Sequence, residues 1–388
     1  MFYQLFTLLT PIYSAAKGSR ARFAVKNFVF HLSFCLFFRN FAGINAKKRM
    51  RERLLIVFLL LAMIVLAGCN MLWGSLNIPA RSVMQILSGH SEGENPAWKF
   101  ILMESRLPQM LTALLSGAAL STSGLMLQTL FRNPLAGPSI LGIDAGANLG
   151  VALVMLLLGG TLTLGNLSLS GYLLVIAAAM IGALAIMLLL LLLSHSLQSK
   201  TMLLITGVVI SYVTGSIISL LNFSATEEGV HNYIIWGMGT FGNVSLNHMP
   251  LYAPLIAAGL TGAMLLVKSL DALLLGERYA ANLGVNIRRT RNGLLLCTGL
   301  LTATTTAFCG PVSFLGLAVP HMARMWLRTS RHLVLLPGTM LMGSCLTLLC
   351  NLMATQLRPG SMLPINVITP LIGAPVILYV ILSKSDSQ

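Results

Sequence analysis

Asp144 is the acidic residue whose position most invites chemistry. It stands just inside an apolar run, 139–158, where an ionised carboxylate is costly and marks a functional candidate by default. It also follows Gly142 at a predicted helix start, where the helix dipole favours an acid that can cap free N–H groups. The capping role is the preferred expectation. The other reactive residue types do not assemble into catalytic sets. Six cysteines, at 35, 69, 297, 309, 345 and 350, form no CxxC pair and have no histidine at metal-ligand spacing, so they read as small buried apolar residues. His321 and Arg324 fall at one end of an apolar run with no second ligand nearby, which points to a structural or partner-facing role rather than to a metal. No GxxxxGK phosphate loop, HExxH or GxSxG occurs. The chain is therefore expected to bind no nucleotide in the P-loop manner, to hold no cofactor and to be no enzyme. Rows of buried carboxylates, the usual relay of ion-coupled carriers, are missing too, so the driving force is expected from another chain.

The elements that must position these residues follow from composition. Of 388 residues, 56% are hydrophobic and 9% are charged, against about 25% charged in a soluble globular chain. The apolar residues come in runs of roughly 20, the length that crosses a hydrocarbon core of about 30 Å. Without water there, each run must satisfy its own backbone as a helix. The alternating segments of about 10 residues that a membrane β-barrel requires do not occur. The expected fold class is an all-α integral membrane protein.

Ten candidate spans lie at about 54–73, 108–130, 139–158, 169–193, 202–222, 250–268, 291–309, 312–327, 333–354 and 364–382. An even number places both termini on one side. From residue 47 onward there are 20 Lys and Arg, and this arrangement puts 16 of them on the side of the termini. The opposite side holds only Arg81, Lys99, Arg106 and Arg358. The positive-inside rule then makes the termini cytoplasmic. The formal charge of +15 is thus an orientation signal, because a nucleic-acid binder gathers its cations on one exposed face.

Residues 1–46 form a basic N-terminal extension, distinct from a transmembrane domain at 47–388. The extension carries five cations, no acid and an apolar stretch from Phe28 to Phe38 that is too short to span. A presequence or surface-lying segment fits it. The preferred expectation is that translation begins at Met50, where Met50-Arg-Glu-Arg precedes an ordinary first span.

Gly137-Pro-Ser-Ile-Leu-Gly142 after the second span is echoed by Gly310-Pro-Val-Ser-Phe-Leu-Gly316 after the seventh. On this topology the first lies on the cytoplasmic side and the second on the outer side, as an inverted internal repeat requires. Gly117, Gly124, Gly142, Gly146, Gly150, Gly207 and Gly215 permit close helix packing or line a path. Segment 269–290 has helix-like content, and Gly276 and Gly284 flank it as turn residues. Glu227 to Gly242 reads as a short re-entrant or surface helix at the outer mouth, or as an interfacial loop anchored by Trp236.

Several segments in order resemble FecCD-type permeases, which serve cobalamin, iron-siderophore or haem import. They are Arg106-Leu-Pro-Gln109, Gly117-Ala-Ala-Leu-Ser121, Gly124-Leu-Met-Leu-Gln128 and Arg132-Asn-Pro-Leu-Ala-Gly-Pro138, continued by Leu141 to Ala147. Leu275 to Asn286, Gly310 to Arg324, and Leu363-Pro-Ile-Asn-Val with Gly373-Ala-Pro375 complete the set. Asn133, Pro134, Pro311, Pro320 and His321 belong to these motifs.

The resemblance implies the type II ABC importer permease fold and a homodimer in a bacterial inner membrane. It implies cytoplasmic P-loop ATPase subunits and a periplasmic or lipid-anchored substrate-binding protein as partners, with membrane lipid around the chain and no nucleic acid. The ATPase-coupling loop would comprise Leu275, Gly276, Glu277, Arg278, Ala280, Ala281, Leu283 and Gly284. Arg106 matches an outer-face docking arginine, Gln109 replaces a second, and Arg358 lies near the position of a third. Met362 replaces the usual acid before Leu-Pro, and Asp144 stands where serine is common. The plainer reading of Arg106 is a side chain snorkelling to headgroups. An ion-coupled secondary transporter is the alternative function.

Overall fold

The computed structural model describes residues 50–74, 76–89, 95–159, 161–164, 167–196, 199–357 and 362–385. The predicted extension 1–46 and Arg358 lie outside the described residues. Contacts divide the chain into Met1–Val57 and Phe58–Gln388. Of the first unit only 50–57 are described, and they are helical.

The elements are α1 (Met50–Leu72), α2 (Ala80–Leu87), α3 (Pro96–Phe131), α4 (Ile143–Leu157), α5 (Tyr172–Ser196) and α6 (Lys200–Ser224). They continue as α7 (Glu227–Gly237), α8 (Met249–Leu265), α9 (Val267–Leu275), α10 (Glu277–Asn282) and α11 (Ile287–Cys309). The chain ends with α12 (Leu315–Leu327), α13 (His332–Gln356) and α14 (Ile365–Ser385). A two-stranded antiparallel hairpin, β1 (Thr161–Leu164) and β2 (Leu167–Ser170), pairs Thr161 with Ser170 between α4 and α5. It is a short insertion in an otherwise helical fold, and only its last two residues, Leu169 and Ser170, fall within the predicted fourth span.

Each predicted apolar run coincides with a helix, but the helices are unequal. Among the described residues six are long and apolar enough to cross a bilayer, and a seventh arises if α8 and α9, bent by 47°, form one span. The predicted sixth span therefore breaks at Leu266 and continues as α9. Helix α12 has 13 residues, about 20 Å at 1.5 Å per residue, and α4 is similarly short. Neither crosses a core of about 30 Å alone.

Helix α3 is the centre of the bundle, with 83% of its apolar window buried, whereas the windows of α1 and α6 are 17% buried. The reason is the run of small residues on α3. A Cβ at Gly117 would collide with the carbonyl oxygen of Gly343 on α13, and one at Gly124 with that of Gly316 on α12. Backbones approach this closely only where side chains are absent. Pro320 lacks the N–H that would bond the Gly316 carbonyl four residues back, and this opens room on α12 at the same point.

Candidate functional site

The echoing loops meet. Gly137, Pro138, Ser139 and Ile140 line one cavity of about 250 Å³ together with Val312, Ser313, Phe314 and Gly316. A Cβ at Gly316 would lie 2.7 Å from Pro138 Cδ. The expectation that the loops sit on opposite faces is therefore corrected. Because α4 and α12 are half-length, the irregular segments before them must enter the bundle, where burial in protein makes non-helical backbone tolerable. The meeting of two broken helices inside the bundle is the arrangement that inverted repeats produce.

Asp144 lines this junction. Its Oδ2 accepts from the Ser139 hydroxyl at 2.8 Å, and its Oδ1 accepts from the Thr306 hydroxyl of α11 at 2.7 Å. No side chain caps the start of α4, where Gly142 holds φ +77°. The capping expectation is thus corrected. The acid does sit in the first helical turn, where the dipole favours it, but its oxygens join α4 to α11.

The second loop is held by Asn366 at the start of α14. Its Oδ1 accepts from the Ser313 N–H at 3.0 Å, while its Nδ2 donates to the Pro311 carbonyl at 2.6 Å and the Gly237 carbonyl at 3.3 Å. Gly310 (φ +75°) packs against the Trp236 carbonyl at the end of α7. Trp236 is buried and α7 is a true helix, capped by Thr226. Phe314 takes φ +69°, a strained conformation for a non-glycine residue, at the mouth of the cavity.

At the basic end, α9 and α10 form a projecting elbow. Gly276 between them has φ +116° and ψ 152°, which a side chain would oppose. Ala280 is fully buried and anchors α10. Glu277, Arg278, Ala281 and Gly284 are exposed. Leu275, Tyr279 and Leu283 are 63, 68 and 65% exposed, so the elbow presents an apolar surface.

The bundle grips this elbow from behind. Arg132, which ends α3 in a left-handed conformation, donates from Nη2 to the Leu273 and Leu274 carbonyls at 2.9 and 3.1 Å. Asp271 of α9 accepts from the backbone N–H and ring Nδ1 of His332, and the Thr129 hydroxyl lies 2.9 Å from the Nε2 of His332. His321 Nε2 lies 2.8 Å from the Pro134 carbonyl oxygen, and Asn133 Oδ1 accepts from the Leu135 N–H at 2.9 Å. The Asn133–Pro134 turn and Pro320–His321 thus form one packed unit. Arg324 donates to Gln128 Oε1 at 2.6 Å.

At the opposite end Arg106 is 6% exposed. Its guanidinium donates to the Met71 and Leu72 carbonyls at 2.8 and 3.0 Å and to the Leu76 carbonyl, closing the end of α1. The guanidinium thus turns inward to the end of α1 rather than snorkelling outward. Gln109 also points inward. It donates to Asn351 Oδ1 at 2.8 Å, Asn351 donates to Asn70 Oδ1 at 2.8 Å, and Asn70 donates to the Leu66 and Leu348 carbonyls.

Thr306, Asn366, Asp271, His332 and Tyr279 were missed as functional positions. Asn366 and Tyr279 lay inside quoted motifs. The signal for the others was a polar residue within or beside an apolar run, which has no partner until the helices pack.

The chain matches the FecCD transport family over residues 55–383. It is 32% identical to the hemin transport system permease HmuU of Yersinia pestis, covering 88% of this chain and 98% of the relative. It is 35% identical to the iron(III) dicitrate permease FecD of Escherichia coli, covering 84% and 98%. It is 34% identical to the vitamin B12 import permease BtuC of an Escherichia coli strain, covering 74% and 85%. Among solved structures it resembles an inward-facing ABC transporter described as metal-chelate type, with TM-score 0.73, 28% identity, and coverage of 84% of this chain and 98% of that one. By its folded bundle and by these matches, the chain is a member of the FecCD transport family.

Proposed function

We propose that this chain is the membrane-spanning subunit of an ATP-binding-cassette importer that moves an iron chelate, haem or cobalamin inward across a bacterial inner membrane. The observation that carries the mechanism is the α9–α10 elbow, apolar on its outer surface and gripped behind by Arg132 and His332. A separate ATPase subunit docks on Leu275, Tyr279 and Leu283 and pulls the elbow. Arg132 and the Asp271–His332 pair pass that pull to α3 and α13, because rigid elements with firm contacts move as bodies. The elbow end, rich in Arg and Lys, faces the cytoplasm. A binding protein delivers the cargo at the opposite face, and two copies of the chain enclose the path. The ten apolar helices are all membrane elements, three of them completed by buried loops or broken ends.

Reconstitution with the cognate ATPase and binding protein tests this reading. ATP-dependent uptake of ferric chelates, haem or cobalamin into proteoliposomes is the expected outcome. Uptake driven by an imposed proton or sodium gradient with no ATPase present would establish the ion-coupled alternative instead.

A further inference from the structure

Two neighbouring cavities, one bearing cations and one apolar, share wall residues at the basic end of the helices. One, of about 650 Å³, is walled by Arg132, Arg324, His321, His332 and Gln128, with no acidic residue in its lining. Asp271 is bonded to one of these walls, His332. The other, of about 600 Å³, is a groove between α1, α12, α13 and α14 with aliphatic and aromatic walls that include Phe58, Leu66, Met342 and Leu349. Met325 and Tyr379 line both cavities.

We propose that the two adjoining cavities hold one anionic phospholipid, with its phosphate between Arg132 and Arg324, its glycerol crossing at Met325 and Tyr379, and an acyl chain in the groove. The charge of the first cavity suits a phosphodiester, because guanidinium forks bind phosphate oxygens through several donors at once. Each arginine uses only part of its five donors on the Leu273, Leu274 and Gln128 oxygens. Basic pockets between membrane helices are suited to acidic headgroups. The groove sets a lipid apart from a free anion. From Phe58 to Leu66 it follows α1 for about 12 Å, and Phe58 stands edge-on to Trp326 at 5.5 Å as one of its walls. A soluble phosphate would leave that surface bare. The inference rests on these helices being membrane-embedded and not on the importer reading. Arg132 and Leu274 are shared with the elbow, so the lipid borders the segment that moves.

Native mass spectrometry of the purified full chain, titrated with phosphatidylglycerol and phosphatidylcholine, tests the proposal. Phosphatidylglycerol is expected to bind about tenfold tighter than phosphatidylcholine. Met325→Glu places a carboxylate at the shared rim and should abolish that preference, while Met325→Leu keeps it. Leu349→Trp, which fills the groove, should weaken both lipids. Equal binding of the two lipids by the unsubstituted chain would overturn the proposal. So would unchanged phosphatidylglycerol binding by a folded Met325→Glu chain. A thermal shift from inorganic phosphate equal to that from phosphatidylglycerol would also overturn it, by showing an anion site to which the groove adds nothing.

Discussion

One carboxylate oxygen of Asp271 accepts both the backbone N–H and the ring Nδ1 of His332, at 2.7 and 2.8 Å. A residue of the elbow thereby supplies the cap for the first N–H of a helix 61 positions later, and the middle of α9 is tied to the start of α13. Asp271→Ala is expected to lower stability by about 1 kcal/mol, less than a fully buried charged pair would, because Asp271 is 38% exposed. ATPase activity should persist while uptake falls, since the motor would still turn over with its lever loosened. Paired ATPase and uptake assays on one reconstituted preparation check this.

The elbow surface can be altered without touching the fold. Tyr279→Glu and Leu283→Glu change exposed side chains and should leave thermal stability within about 0.5 kcal/mol of the starting value. Both should abolish co-purification with the ATPase subunit. Retained ATPase binding by both would remove the elbow from the interface.

Close helix contacts at two glycines set a sharp contrast. Gly124→Ala and Gly117→Ala drive a methyl group into backbone carbonyls on α12 and α13. Each should cost about 1–3 kcal/mol, seen as loss of folded protein in detergent. Gly215→Ala, with open space around its Cβ position, should be silent.

Asp144 holds two hydroxyl donors rather than a helix end. Asp144→Asn keeps a polar partner for Ser139 and Thr306, because a hydroxyl can turn from donor to acceptor. Uptake should be retained. Asp144→Leu leaves the buried Thr306 hydroxyl without that partner, while the exposed Ser139 hydroxyl can turn to solvent, and should destabilise the chain by about 1–3 kcal/mol. Abolished uptake in a well-folded Asp144→Asn chain would show that the charge itself has a role.

Arg106 separates capping from docking. If its fork closes the end of α1, Arg106→Lys loses the planar geometry and lowers the melting temperature. Affinity for the binding protein and its dependence on salt should stay unchanged. A salt-dependent loss of affinity with unchanged stability would assign Arg106 to docking instead.

Much of this was legible beforehand, and what was missed has a common cause. The positions of the apolar helices follow from run length, because each helix satisfies its backbone locally and declares itself within 20 residues. The two motifs containing Asn133–Pro134 and Pro320–His321 could be found, but not that His321 reaches the Pro134 carbonyl. The break at Leu266 was invisible, since an apolar run looks alike whether the chain crosses the membrane or enters it and turns, whereas the shortness of α12 was already hinted at by its short run at 312–327. The family resemblance placed Arg106 and the position of Gln109 at the outer-face docking site. Only packing shows that both side chains turn inward, to the end of α1 and to Asn351.

By itself, then, the sequence determined that this is a helical membrane chain, roughly where its helices lie and which family it resembles. Those properties depend on local periodicity, composition and ordered motifs. Tertiary structure alone decided that the loops at 137–142 and 310–316 meet, that Asp144 pairs with Thr306, and that Asp271 of the elbow caps α13. These are contacts between groups far apart in the chain. Their partners are chosen by which small residues let which helices touch, and that choice is made only when the bundle closes around α3.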